Sequence, residues 1–136
     1  RVPQRREVFD VVLVDAPCSG TGTARRNPAV KWRVTPKQLM RLAAAQMTIL
    51  EASAQAVRPG GILLYATCSL MPEENEHVTE SFLRSHEDFQ PDPLAPILAK
   101  HGITGLVGGV DHTLQLTPLH HGCDGFFIAR MRRVHS

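Results

Sequence analysis

Long apolar runs are missing from this sequence. No stretch approaches the ~20 residues that a membrane-spanning helix needs, so no membrane partner is expected. A strong charge imbalance is missing too. Fifteen Lys and Arg stand against 13 Asp and Glu, a formal charge of +2. So small a field permits an RNA or DNA partner without demanding one. Cysteine is scarce and odd in number, with Cys18, Cys68 and Cys123 widely spaced. That argues against a disulfide framework and for reduced thiols in a cytoplasmic setting. There is no Cys-x-x-Cys pair, and His120-His121-Gly122-Cys123 has no matched partner pair, so no metal is expected. The charged opening Arg1-Val2-Pro3-Gln4-Arg5-Arg6-Glu7 lacks the apolar core of a signal peptide. Internal repeats and low-complexity segments are absent. At 136 residues, with 43% apolar and 21% charged residues, the chain is a folded domain's worth of material at most.

What is present reads as alternating strands and helices. Val8 to Asp15 is a β-branched apolar run ended by Ala16-Pro17, which fits a parallel strand covered on both faces. Ser19-Gly20-Thr21-Gly22-Thr23 is a flexible loop. Thr35-Pro36-Lys37-Gln38 carries a capping residue, a proline at the first helical position and the Gln of a capping box. Leu39, Leu42, Ala43, Met47, Ile49, Leu50, Ala54 and Val57 then recur at helical spacing up to Arg58, where Arg58-Pro59-Gly60-Gly61 predicts a stop. Ile62 to Thr67 predicts a second buried strand. Pro72-Glu73-Glu74-Asn75-Glu76 opens another helix, its acids lying where the helix dipole favours them; Val78, Phe82 and Leu83 point inward and the helix ends near His86. From Gln90 to Gly109 the chain is Pro- and Gly-rich, with one short helical turn at Pro96 to Lys100. Thr113 to Leu116 and Gly125 to Arg130 predict two late strands, with Asp124-Gly125 shaping the turn into the last.

This order is the second half of an open α/β sheet, mostly parallel with a late antiparallel strand pair. Ligands bind beyond the carboxyl ends of such strands. Both Asp15-Ala16-Pro17-Cys18 and Thr67-Cys68-Ser69 fall there, so Cys18 and Cys68 are expected to open onto one cleft. A lone strand-end cysteine is usually a small buried hydrophobe. Two at one sheet edge, each followed by Ser, favour a nucleophile, because a thiol with a pKa near ~8.5 is already partly thiolate at neutral pH. Cys68 also lies just ahead of a helix N-terminus, which would favour its thiolate.

The residues then resemble a known family. Asp15-Ala16-Pro17-Cys18-Ser19-Gly20-Thr21-Gly22, Arg25-Arg26-Asn27-Pro28, Lys31-Trp32, Gln46, Arg58-Pro59-Gly60-Gly61, Tyr65-Ala66-Thr67-Cys68-Ser69, Pro72-Glu73-Glu74-Asn75 and His121-Gly122 with Asp124-Gly125-Phe126-Phe127 are similar to the RNA cytosine-C5 methyltransferases of the RsmB/NSUN superfamily. The resemblance runs over nearly the whole chain. It implies a Rossmann-like class I methyltransferase sheet, S-adenosyl-L-methionine as cofactor and RNA as partner, ribosomal RNA being favoured over tRNA by the Arg-Arg-x-Pro loop.

In that family the cysteine matching Cys68 attacks cytosine C6, and the one matching Cys18 helps release the product. Asp15 matches a residue at the cofactor and target base, where a carboxyl group can hydrogen-bond the cytosine ring edge; the alternative for Asp15 is a cap on the loop after its strand. Asp15 and Pro17 are the expected cofactor contacts. Arg25, Arg26 and Lys31, with Arg33, Lys37 and Arg41, form a basic segment read either as phosphate contacts or as a solvated face. The glycine-rich cofactor loop and the acidic residue after a second strand are not found here: Gly20-Thr21-Gly22-Thr23-Ala24-Arg25 has Arg where a third glycine is wanted. Residues 1–136 are therefore expected to be a partial methyltransferase catalytic domain lacking the cofactor-loop half. Such a piece is expected to be inactive alone, to bind cofactor weakly or not at all, and to self-associate through an uncovered strand edge or be marginally stable. Two other readings stay open. One is a non-catalytic RNA-binding or assembly module with structural cysteines. The other is a thiol hydrolase using Cys68 with His120 or His121.

Overall fold

The computed structural model describes residues 6–23, 34–102, 111–117 and 124–134. Strand β1 (Phe9–Asp15) leads through a 3-10 turn (Thr21–Thr23) to helix α1 (Pro36–Ala54) and strand β2 (Val57–Thr67). A second 3-10 turn (Pro72–Glu74), helix α2 (Glu76–Ser85), strand β3 (Phe89–Pro91), helix α3 (Ala95–Lys100), strand β4 (Thr113–Leu116) and strand β5 (Phe126–Arg133) follow. The sheet runs β1-β2-β5-β3, with β4 also on β5. β1 and β2 are parallel, joined by the α1 crossover that parallel pairing requires. β5 runs antiparallel to β2 and divides its other edge between β4, along Phe126 to Ala129, and β3, along Met131 to Arg133.

The open α/β sheet and its late antiparallel strands are as expected. The antiparallel share is larger than one strand pair, because β5 reverses directly against β2 and recruits β3 from a segment left unassigned. The start of α1 is also as expected. Thr35 Oγ1 accepts from the Gln38 amide at 3.2 Å and Gln38 Oε1 accepts from the Thr35 amide at 3.0 Å, a reciprocal capping box.

The end of α1 is a correction. The helix stops at Ala54, and Arg58-Pro59-Gly60-Gly61 lies inside β2 rather than in a turn before it. Phe9 faces Val57 and Val11 faces Ile62, so two residues on β1 span five on β2. Gly60, at φ 82°, absorbs the excess chain where Pro59 offers no amide to the ladder. The helix expected from Pro72 is likewise split at Asn75, whose φ of −113° and ψ of −98° are not helical.

The core lies between the sheet and helices α1 and α2. Leu50 and Ala54 of α1, with Val78 and Phe82 of α2, pack on Val12, Val14, Leu63, Tyr65, Phe127 and Met131. Burying a side chain such as Phe82 contributes about 1.5–3 kcal/mol. Among the described residues, β1 is covered on this face only. Val11 and Leu13 are 56% and 61% exposed on the other, against the expectation of a strand covered on both sides. Among the described residues, no helix is long and apolar enough to cross a membrane.

Candidate active site

The two parallel strands deliver their carboxyl ends side by side. The Ala16 amide still bonds the Ala66 carbonyl at 2.9 Å, extending the β1–β2 ladder past Asp15. Pro17 then ends it, and Cys18 follows. Thr67 closes β2, and Cys68 follows. The sulfur atoms of Cys18 and Cys68 stand 3.3 Å apart. Cys68 is exposed and Cys18 half-buried. Burial, with the hydrogen bond to Cys68, pushes the Cys18 thiol up to about 11, against a smaller opposing pull from the Gly20 and Cys68 amides. Cys18 is therefore a protonated thiol at neutral pH. Asp15 and Pro17 are exposed on the same rim.

Arg25, Arg26 and Lys31 lie outside the described residues, as do Trp32, Arg33, His120, His121 and Cys123. Of the basic segment, Lys37 and Arg41 are described, and both are exposed on α1. Among the described residues no three His, Cys, Asp or Glu side chains converge as metal ligands would.

Beneath the thiols lies a polar layer whose role sequence reasoning missed. Glu74 is fully buried. Its Oε1 accepts from the Ser19 amide at 2.7 Å and from Gln46 Nε2 at 3.2 Å. Its Oε2 accepts from Ser19 Oγ at 2.6 Å and from Ser69 Oγ. Gln46 Nε2 also donates to the Pro17 carbonyl at 2.8 Å, tying α1 to the loop that carries Cys18. Buried Tyr65 donates to the Glu74 carbonyl at 2.7 Å, and its phenol is raised above its ordinary range by burial first. On the β2 side, Thr67 Oγ1 donates to Asn75 Oδ1 at 2.6 Å, and Asn75 Nδ2 donates to the Ser69 carbonyl at 2.8 Å. Gln46 and Pro72-Glu73-Glu74-Asn75 are conspicuous in the sequence, but Glu74 reads there as a dipole-favoured acid on a helix start. The available signal was the serine that follows each cysteine, since two hydroxyls beside two thiols need a shared acceptor once buried.

Gly22 and Gly125 close the site from the side. The Gly22 amide donates to the Cys68 carbonyl at 2.9 Å, and the Gly125 amide donates to the Gly22 carbonyl at 2.6 Å. Gly125 thus does more than shape the turn into β5: it joins the two cysteine loops to that strand.

The sequence profile of the 16S rRNA methyltransferase RsmB/F family matches residues 2–132. The chain belongs to that family. It is 42% identical over 138 residues to the ribosomal RNA small subunit methyltransferase B of Thermus thermophilus, which covers 99% of this chain and 31% of the relative. It is 43% identical over 128 residues to the protein of the same name from Pasteurella multocida, 94% of this chain and 27% of the relative. The chain thus spans under a third of the length of these relatives. The crystal structure of NSun6 from Pyrococcus horikoshii with SFG superposes with a TM-score of 0.74 at 28% identity, covering 91% of this chain and 30% of that one. This RsmB/F-family sheet accordingly falls in the Rossmann-like α/β class.

Proposed function

We propose that this chain carries the catalytic-cysteine part of a cytoplasmic, S-adenosyl-L-methionine-dependent RNA 5-methylcytosine methyltransferase acting on ribosomal RNA. The observation that carries the reading is the pair of thiols 3.3 Å apart at the ends of adjacent parallel strands. Family membership supports it, as do the RNA named for both relatives and the SFG named for the solved neighbour.

Cytosine C5 is too poor a nucleophile to take a methyl group unaided. In the proposed reaction the Cys68 thiolate adds to C6, forming a C6–S bond and driving the C5=C6 electron pair onto C5. Asp15, exposed at the end of β1, hydrogen-bonds the ring edge and favours its protonation during the attack. C5 gains the methyl group, loses its proton to a base, and the C6–S bond breaks to return the Cys68 thiolate, the ring edge giving back the proton it took during the attack. Cys18, protonated and in contact with the leaving sulfur, offers that thiolate a hydrogen bond as it departs. The target base must leave its stack to reach the thiols. Arg25, Arg26 and Lys31 are the proposed phosphate contacts, which makes binding salt-dependent.

The cofactor would supply the methyl group. Asp15 and Pro17, an exposed carboxyl group and an exposed apolar ring where β1 ends just ahead of Cys18, are the residues that would line one wall of its site. Neither the 560 Å³ groove around Leu39, Met47 and Val78 nor the 170 Å³ one around His86 and Arg133 touches the cysteines. We propose that residues 1–136 supply part of the cofactor site and that this stretch alone methylates nothing.

The test is covalent capture of 5-fluorocytidine RNA, in the presence of S-adenosyl-L-methionine, by the protein carrying this sequence. Fluorine cannot leave C5 as the proton does, so the adduct persists. Cys68→Ala should abolish it and Cys18→Ala should leave it able to form. Salt-dependent RNA binding with no adduct, indifferent to both substitutions, would replace this reading with a non-catalytic RNA-binding or assembly module.

A further inference from the structure

A buried carboxylate is costly to keep unless its oxygens are fully engaged. Glu74 is buried with four donors on its two oxygens, all of them neutral. Two come from Ser19 and one from Ser69, the residues that directly follow Cys18 and Cys68; the fourth, from Gln46, comes from a side chain that also grips Pro17. A carboxylate is the side chain suited to this junction. It is acceptor-only with about four lone-pair sites, so it can hold an amide, a side-chain amide and two hydroxyls at once.

We infer that Glu74 is a positioning residue that clamps the two cysteine loops together and so holds the Cys18 and Cys68 sulfurs in contact. Its consequence for catalysis rests on the proposed role of Cys68; its consequence for the thiol pair does not. Glu74→Gln keeps the junction: the amide oxygen accepts from Ser19 N–H and Gln46, and the amide nitrogen donates to hydroxyls that turn to accept. Glu74→Ala removes the acceptor that the two loops share and so loosens them, while Gln46 keeps the Pro17 carbonyl and Gly22 still bonds Cys68.

The experiment uses the protein carrying this sequence with Cys123→Ser, and phenylarsine oxide, a trivalent arsenical that bridges two thiols only when they lie close. One equivalent should be captured tightly by the unaltered pair and by Glu74→Gln. Glu74→Ala should capture it several-fold more weakly while keeping its circular dichroism and its RNA affinity. The rate of 5-fluorocytidine adduct formation should fall about tenfold to a hundredfold, as misplacement at a reacting centre does. Arsenical capture and adduct rate at parent level in a folded Glu74→Ala would overturn the inference. Should that variant not fold, Ser19→Ala and Ser69→Ala each remove part of the clamp, and undiminished capture in both would overturn it equally. Loss of capture on clamp removal, alongside a parent that forms no adduct, would sink the proposed function and leave the positioning role standing.

Discussion

Replacing Gly22 by alanine puts a methyl carbon 2.2 Å from the Gly125 carbonyl oxygen, 2.7 Å from the Cys68 carbonyl oxygen and 2.8 Å from the Gly125 carbonyl carbon. All three are backbone atoms and cannot swing aside as the end of a side chain would. Either the loop after β1 lifts or the entry to β5 moves. Forced overpacking costs about 1–3 kcal/mol, and each hydrogen bond broken at the junction adds about 1 kcal/mol. Two such bonds run through Gly22, to the Cys68 carbonyl and from the Gly125 amide. The expected loss is about 2–5 kcal/mol, a large share of the ~5–15 kcal/mol that holds a domain of ordinary stability. At roughly 3 °C per kcal/mol for a chain of this size, the melting temperature should fall by about 6–15 °C. Because the Cys68 carbonyl is one of the atoms displaced, arsenical capture by the thiol pair should weaken as well. Gly60→Ala is the matched control. Gly60 lies at φ 82°, where an alanine would be strained, but the nearest atom to the added carbon is the far end of the Arg58 side chain, Nη1 at 3.4 Å. That change should cost about 1–2 kcal/mol of backbone strain and spare the thiols. A Gly22→Ala protein that melts no lower than Gly60→Ala, with arsenical capture intact, would refute the reasoning.

Asp92 bonds Arg130 at 2.5 Å and Arg132 at 3.1 Å. Burial pushes its carboxyl up, but the two guanidinium groups outweigh that and hold it below the ordinary 3.8. The stability it contributes is therefore present above 3.8 and lost as pH falls through the lower folded value. Asp92→Asn should lower the melting temperature at neutral pH, with the gap closing in strong acid; a gap unchanged down to pH ~2 would contradict this. At the other edge of the sheet, β1 is paired on one side only among the described residues, with Val11 and Leu13 exposed on its outer face. We expect concentration-dependent self-association of residues 1–136 in sedimentation, reduced by Leu13→Lys, and a monomer at every concentration would count against it.

The parts of this fold legible in the sequence are those set by local chemistry. Thr35, Pro36 and Gln38 announce the helix start because all the capping partners lie within one turn. Ala16-Pro17 and Thr67-Cys68 mark strand ends because proline and the change of pattern act where they stand. The meeting of Cys18 and Cys68, fifty residues apart, is legible because a single crossover between parallel strands leaves few arrangements. What was not legible depends on contacts between distant segments. Arg58-Pro59-Gly60-Gly61 carries every sign of a helix stop, yet β2 begins before it, because β1 supplies a partner and Gly60 supplies the bulge. Phe89 to Pro91 has too few residues to declare a strand until Met131 to Arg133 pair with it. Glu74 has a good local explanation as a first-turn acid, and only the convergence of Ser19, Gln46 and Ser69 shows the better one.

Two cysteines begin with the same intrinsic chemistry, so a reaction that needs one to attack and the other to keep its proton must have them made unequal by position. Here the inequality comes from the sheet edge itself. The loop after β1 turns under α1, where Gln46 grips Pro17 and the clamp takes Ser19, and Cys18 is drawn half into the protein. Burial raises its pKa and keeps its proton. The loop after β2 is held on both sides of its cysteine, at Thr67 by Asn75 and at Ser69 by Glu74, and Cys68 between them faces solvent. In the proposed reaction the exposed sulfur is the one a flipped base can reach, and the half-buried thiol lies 3.3 Å from it with its proton in place. The same junction that sets the distance between the sulfurs therefore sets their difference, so a substitution that loosens it should blur the division of labour as well as widen the gap.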